Sequence, residues 1–236
     1  MRLVLANPNA TTSVTDACAA LARAAASPGT EVVAWTNREG PPIVDSWYAD
    51  YFAGRPLARG LRALSPMPDV IVLAGFGNYG TGAVKEALDV PVVSLPDAAM
   101  SIAVPLCHRF AIVTTTPRMI PYTEDLVAAA GFRERCAAVA AVSLPPLGAA
   151  LSDDAVVAEL AAEVERVRTA TRADLVILGG ARLSPYAAAL RTLVTPTVLE
   201  PVACGVQMAE ALVRLGLRQT KTGKYAPPPQ AFEAYE

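Results

Sequence analysis

The sequence predicts an α/β protein of two pseudo-symmetric, parallel-sheet lobes that arose by internal duplication, with the active site in the cleft between them. Short Val/Ile/Leu-rich runs alternate with Ala-rich helical stretches, the pattern of parallel strands covered on both faces. Asp69-Val-Ile-Val-Leu-Ala-Gly75 recurs as Asp174-Leu-Val-Ile-Leu-Gly-Gly180, and Pro91-Val-Val-Ser-Leu-Pro96 recurs as Pro196-Thr-Val-Leu-Glu-Pro201. The step from aspartate to proline is 22 residues in both copies. Upstream, Arg2-Leu-Val-Leu-Ala and Arg109-Phe-Ala-Ile-Val begin 67 and 65 residues before the two aspartates. Buried strands resemble one another by composition alone, but equal spacing in register favours a duplicated unit.

The apolar runs give strands at 2–6, 31–35, 69–75, 91–95, 109–115, 138–142, 174–180 and 196–199. The stretches between them give helices near 11–26, 54–65, 80–89, 97–107, 121–131, 152–171, 184–193 and 201–215. Residues 1–97 plus 205–236 are expected to form the first lobe and 98–204 the second. The Pro227–Pro229 run and residues 230–236 read as a loose terminal tail.

Composition limits the function. The chain has 236 residues, 53% hydrophobic and 18% charged, which suits a compact α/β protein with a substantial core. A net charge of −2 and the lack of a basic run argue against nucleic acid or an anionic membrane as partner. The N-terminus passes from Met1 straight into a strand, and no run approaches the roughly 18 apolar residues of a membrane span. Four cysteines without CxxC spacing and a single histidine give no zinc pattern, so no metal is expected. Reduced thiols in a cytoplasmic protein are the simplest reading. A small-molecule substrate, no cofactor and a homo-oligomeric assembly complete the expectation.

Open parallel sheets bind ligands beyond the carboxyl ends of their strands. Here those ends carry Asn7 to Thr12, Gly75 to Gly80, Thr114 to Arg118 and Gly180 to Ser184. Asn7, Asn9, Thr11 and Thr12 lead into a helix, where amide and hydroxyl donors can grip an anion or simply cap the helix. Gly75-Phe-Gly-Asn-Tyr-Gly80 offers backbone N–H groups for a carboxylate or enolate oxygen. Its glycines fit GxGxxG formally, but no suitable acid follows about 20 residues on, so a dinucleotide site is not indicated. Thr114, Thr115 and Thr116 mirror the first segment as hydroxyl donors, or are ordinary strand formers.

These segments resemble the hydantoin racemase family and its superfamily of aspartate and glutamate racemases, maleate isomerase and arylmalonate decarboxylase. The matching pieces are Asn7-Pro-Asn-Ala-Thr-Thr12, Gly40-Pro-Pro-Ile43, Ala98-Ala-Met100, Arg109 to Thr115, Ile120-Pro121, Glu124-Asp125 and the tail from Leu215 to Pro227. Racemases of this kind use two thiols on opposite faces of the substrate carbon, one removing the α-proton and one delivering another. The resemblance places those thiols at Gly75 and Gly180, so the two-thiol mechanism does not carry over. Arylmalonate decarboxylase, with glycine at the first position, marks partial loss as tolerated.

With the thiols absent, the resemblance implies an enolate- or oxyanion-stabilising site for a small carboxylate, amide or cyclic imide. The reaction is a lyase or decarboxylase, hydrolase or non-cysteine isomerase reaction; a racemase using other acids and bases, and a non-catalytic binding protein, remain as alternatives. Tyr79, Tyr122 and Glu200 are the candidate proton-transfer groups. Asn7, Asn9, Thr11, Thr12, Gly75, Phe76, Asn78, Thr114, Thr115, Thr116, Gly180, Ala181 and Arg182 are the candidate substrate-binding residues. Arg182 beside Gly180 is either a second anion clamp or a surface arginine. Tyr122 corresponds loosely to a carboxylate-binding tyrosine of arylmalonate decarboxylase. Glu200, Asp45 and Asp97 are possible acids, with Glu200 best placed, though such an acid can equally fix backbone N–H groups. Cys204 opens a helix but reads better as core, and His108 lies at the amino edge with a structural role.

Overall fold

The computed structural model describes residues 1–143 and 153–235. The start of the helix expected from residue 152 lies outside them. The chain forms two compact units, Met1–Leu95 with Gly205–Glu236, and Pro96–Cys204.

Unit one holds strands β1 (Arg2–Asn7), β2 (Glu31–Thr36), β3 (Val70–Leu73) and β4 (Val92–Ser94), all parallel, in the order β2-β1-β3-β4. Helices α1 (Thr12–Ala25), α2 (Trp47–Arg62) and α3 (Thr81–Ala87) connect them. Helix α4 (Leu95–Ala103) starts at the unit boundary. Unit two holds β5 (Phe110–Thr114), β6 (Cys136–Ala141), β7 (Leu175–Gly179) and β8 (Thr197–Leu199), again parallel, in the order β6-β5-β7-β8. Helices α5 (Met119–Ala129), α6 (Asp153–Thr171) and α7 (Ala187–Leu193) alternate with them, and α8 (Pro201–Arg214) starts in unit two and continues into unit one from Gly205. All eight expected strands are present, and the two sheets have the same strand order.

The duplication is also visible as one repeated contact. The Asp69 carboxylate accepts the Arg2 N–H at 2.7 Å, and the Asp69 N–H donates to the Arg2 carbonyl at 2.9 Å. The Asp174 carboxylate accepts the N–H groups of His108 and Arg109 at 2.9 and 3.2 Å, and its own N–H donates to the Arg109 carbonyl at 2.9 Å. The recurring Arg and Asp of the sequence thus close the amino edges of the two sheets in the same way. His108 acts there through its backbone.

Each sheet is buried by helices. In unit one Val4, Ala6, Ile71 and Leu73 pack with Leu57 and Leu61 of α2 and Val84 of α3. In unit two Ala111, Val113, Val176 and Leu178 pack with Leu160 and Val164 of α6. Covering each large aliphatic side chain contributes about 1.5–3 kcal/mol. The order of small and large residues also fixes how closely loops approach. Gly80 has φ +73°, and a Cβ there would lie 2.9 Å from the Gly54 Cα. Glycine at 80 therefore satisfies both the left-handed turn and the contact between α2 and the loop after β3.

Two elements differ from expectation. Helix α2 begins at Trp47 rather than 54, because the Ser46 hydroxyl caps it by accepting the Ala49 N–H at 3.2 Å. Its first turns are aromatic on the outer side, which hides the usual helical pattern. The terminal segment is held rather than loose: Arg62 pairs with Glu233 at 2.7 Å and lies 5.0 Å over the Phe232 ring. Among the described residues no helix is long and apolar enough to cross a membrane.

Candidate functional site

The carboxyl end of β1 is built around Asn7, which is fully buried. Its Nδ2 reaches Asn9 Oδ1 at 3.0 Å, the Thr11 carbonyl at 3.2 Å and Thr15 Oγ at 2.9 Å. Its Oδ1 accepts the Asn9 N–H at 3.1 Å. Asn7 therefore shapes the loop and has its polar atoms occupied by protein. Asn9 Oδ1 is used twice, by Asn7 Nδ2 and by the Thr11 N–H at 2.9 Å. Among the described residues the Asn9 Nδ2 group has no partner, so it is the donor that this loop offers outward. The Thr11 hydroxyl donates to the Pro42 carbonyl at 2.6 Å, and Thr12 is exposed on the first turn of α1.

Asn37, Thr15 and Asp50 complete this end and were not singled out from sequence. Asn37 is buried, and its Nδ2 donates to the carbonyls of Pro8 at 2.9 Å and Ala53 at 3.1 Å. Thr15 links Asn7 to Thr36 across 2.8 Å. Asp50 of α2 accepts the Tyr79 N–H at 2.6 Å. Each acts between segments distant in sequence. The conspicuous signal for Asn37 is a buried amide just past a strand end.

The loop after β3 carries the densest chemistry. Tyr79 is buried and has φ +46°, a left-handed conformation unusual for a ring-bearing residue. Its ring lies on the loop itself: a Cβ on Gly75 would meet Tyr79 Cε2 at 2.4 Å, and a Cβ on Gly77 would meet Tyr79 Oη at 2.7 Å. The phenol thus lies over the two glycines. Phe76 and Gly77 are buried, and their backbone N–H groups donate to no acceptor among the described residues. Buried N–H groups left unpaired are rare and invite an acceptor. Asn78 is exposed, and its carbonyl accepts the Thr81 N–H at 2.7 Å.

In unit two, the Thr114 hydroxyl donates to the Gly179 carbonyl at 3.0 Å, so it ties β5 to β7. Thr115 and Thr116 follow it and are half-buried. A Cβ on Gly180 would lie 2.8 Å from the Thr115 methyl carbon. The N–H groups of Gly180 and Ala181 have no acceptor among the described residues. Arg182 is half-buried, and desolvation holds its guanidinium below the usual arginine range, opposed by the Tyr186 phenol. Tyr186 donates to Asp153 at 3.2 Å; burial and that carboxylate push its phenol up. Tyr122 is buried on α5.

Glu200 sits just before α8, and its two carboxylate oxygens accept the N–H groups of Val202 and Ala203 at 2.6 and 2.7 Å. It is an N-terminal cap, with both oxygens occupied. Cys204 is buried on the same helix, where desolvation, then Glu200, pushes its thiol up to about 12. Among the described residues no three His, Cys, Asp or Glu side chains gather as a metal site. A cavity of about 530 Å³ lies between Asp69, Asp89, Arg62 and Arg218 at the amino edge of unit one, away from all the candidate residues.

Residues 3–209 match the family model described as Asp/Glu/hydantoin racemase. A hydantoin racemase of Rhizobium meliloti is 32% identical over 97% of this chain and 95% of its own length. The crystal structure of an allantoin racemase from Pseudomonas fluorescens is 34% identical, covers 98% of both chains and superposes with a TM-score of 0.92. Unliganded arylmalonate decarboxylase is 18% identical over 89% of this chain and 91% of its own, with a TM-score of 0.59, a likeness of fold alone.

Proposed function

We propose that this chain, which belongs to the Asp/Glu/hydantoin racemase family, is a cofactor-independent isomerase acting at the acidic carbon of a small cyclic ureide or related imide. Relatives above 30% identity are racemases of hydantoin and allantoin, which sets isomerase chemistry ahead of the lyase and hydrolase alternatives.

The observation that carries the reading is the Tyr79 ring stacked on Gly75 and Gly77, beside the unpaired N–H groups of Phe76 and Gly77. Removing a proton from the carbon next to a carbonyl moves the electron pair onto that carbonyl oxygen. Fixed donors aimed at the oxygen lower the barrier, each by a factor of about 10²–10³ in rate. Phe76 N–H, Gly77 N–H and Asn9 Nδ2 supply such donors on unit one. Tyr79 supplies an O–H group at the position where the resemblance expects a thiol. As the phenolate it takes the substrate proton; a water on the opposite face then gives a proton to the carbon, and the hydroxide left behind recovers the proton held by Tyr79, so the centre inverts with no net gain or loss. Glu200, committed to two N–H groups, serves the fold of its loop rather than the proton.

A second reading has its own support. Gly75 and Gly180 both lack side chains, and the space that a side chain there would need is taken by the Tyr79 ring and the Thr115 methyl. A protein that binds the ring without turning it over would look the same.

Proton NMR in D2O with single enantiomers of allantoin and 5-substituted hydantoins tests both. Loss of the ring C–H signal together with loss of optical rotation is the expected result. Line broadening of the ligand without exchange would replace the isomerase by the binding protein.

A further inference from the structure

Helix α2 carries two apolar stripes rather than one. Ala53, Leu57 and Leu61 face the core of unit one and are fully buried. On the outer side Tyr48, Tyr51 and Phe52 are 76%, 80% and 50% exposed, with Arg55 exposed one turn further and Trp47 61% exposed beside them. Positions 48, 51, 52 and 55 have the i, i+3, i+4, i+7 spacing that normally marks a helix face covered by protein. The rings already pack together, with Phe52 4.6 Å from Tyr48 and 5.4 Å from Tyr51 between centroids.

We infer that this face is an interface with a second copy of the same chain, formed by α2 packing antiparallel on its counterpart. The stripe is symmetric about its own midpoint. Antiparallel pairing sets Tyr51 against Phe52 of the partner subunit, and Tyr48 against Arg55 of the partner subunit. The first is an aromatic pair and the second a cation over a ring. Because each contact recurs with the roles exchanged, the surface is self-complementary, as a twofold interface requires. Tyrosine, tryptophan, phenylalanine and arginine are also the residues enriched in interface cores. Covering the four rings buries on the order of 500 Å² per copy, more than half of the roughly 800 Å² per partner found in stable interfaces. On its inner side the same helix carries Asp50, which accepts the Tyr79 N–H, so association braces the helix that holds that loop. The inference does not depend on the proposed activity.

Light scattering on the eluting full-length chain, across a hundredfold range of concentration, tests it. The wild type is expected as an even-numbered assembly. Tyr48→Arg sets arginine against arginine and should raise the dissociation constant at least tenfold without changing the thermal unfolding of the subunit. Adding Arg55→Tyr exchanges the partners and should restore most of the affinity. A monomeric wild type, or an assembly unchanged by Tyr48→Arg, would overturn the assignment. So would a double variant no better than the single one, since the pair would then not be in contact. A change in substrate KM with unchanged mass would make the face a substrate shelf instead.

Discussion

A Cβ built on Gly75 falls 2.4 Å from Cε2 of Tyr79, so the tyrosine ring fills the space that any side chain at residue 75 needs. The two positions are interlocked, and their substitutions should not add. Gly75→Cys alone drives the new side chain into a buried ring held at its backbone by Asp50, and should destabilise by about 1–3 kcal/mol. Tyr79→Ala alone loses a buried ring, about 3–5 kcal/mol, with no relief of the left-handed backbone, because alanine keeps the Cβ. The double variant should be more stable than the sum of the two by at least ~1 kcal/mol, because no clash is left. Urea unfolding of the four proteins measures this. Additivity would mean that the ring moves aside without cost and does not stand in for a side chain at 75.

Asn9 separates loop architecture from ligand contact. Its Oδ1 accepts from Asn7 and from the Thr11 N–H, whereas its Nδ2 has no partner among the described residues. Asn9→Asp keeps both accepted bonds and replaces the outward donor by a charged carboxylate oxygen. Stability should change by less than ~1 kcal/mol, while turnover or affinity for an anionic ligand falls at least tenfold. Asn9→Ala should instead lower the melting temperature, since the Thr11 N–H loses its acceptor. Equal ligand binding by Asn9→Asp and wild type would remove Asn9 from the site.

How much of this was legible in sequence differs by kind of contact. The strands and the twofold repeat marked by Asp69 and Asp174 were readable, because each depends on local composition or fixed spacing. The strand-end segments could also be located. What those side chains do could not. Thr114 spends its hydroxyl on the Gly179 carbonyl and Glu200 spends both oxygens on α8, choices set by neighbours the sequence does not name. Asp50 and Asn37 were missed for the same reason, since their partners, Tyr79, Pro8 and Ala53, lie 16 to 29 residues away. The left-handed backbone of Tyr79 has no composition signal at all, because tyrosine rarely adopts it.

Glu210 of α8 predicts an acid limit to stability. Burial pushes its carboxyl up, but the Ser27 and Thr30 hydroxyls, the Ser27 N–H and Arg214 together hold it below the ordinary 4.5. The Ser27 N–H and Thr30 hydroxyl donate at 2.8 and 2.7 Å. A carboxyl depressed on folding contributes stability that is complete above its unfolded value and is lost as pH falls through the folded value. The wild type should therefore lose stability below about pH 4.5, in step with protonation of this group. Glu210→Gln should be less stable at pH 7 and show a shallower decline on acidification. Parallel curves for the two proteins would place the acid-sensitive group elsewhere.

The four thiols offer the sharpest contrast with two-thiol racemases. Desolvation pushes Cys136 to about 11 and Cys204 to about 12, and raises Cys107 as well. Cys18 is buried on α1. A thiol at 11 is a thiolate in only about one molecule in a thousand at pH 8, and the thiolate is the reactive form. None of the four lies in the loops that follow β1, β3, β5 or β7. Iodoacetamide at pH 8 should therefore label the folded protein slowly, and partial labelling should leave turnover and ligand binding unchanged. A two-thiol enzyme would instead lose activity in step with the first cysteine modified. Should that happen here, with peptide mapping placing the label on one residue, the proton would belong to that thiol and the role proposed for Tyr79 would be withdrawn.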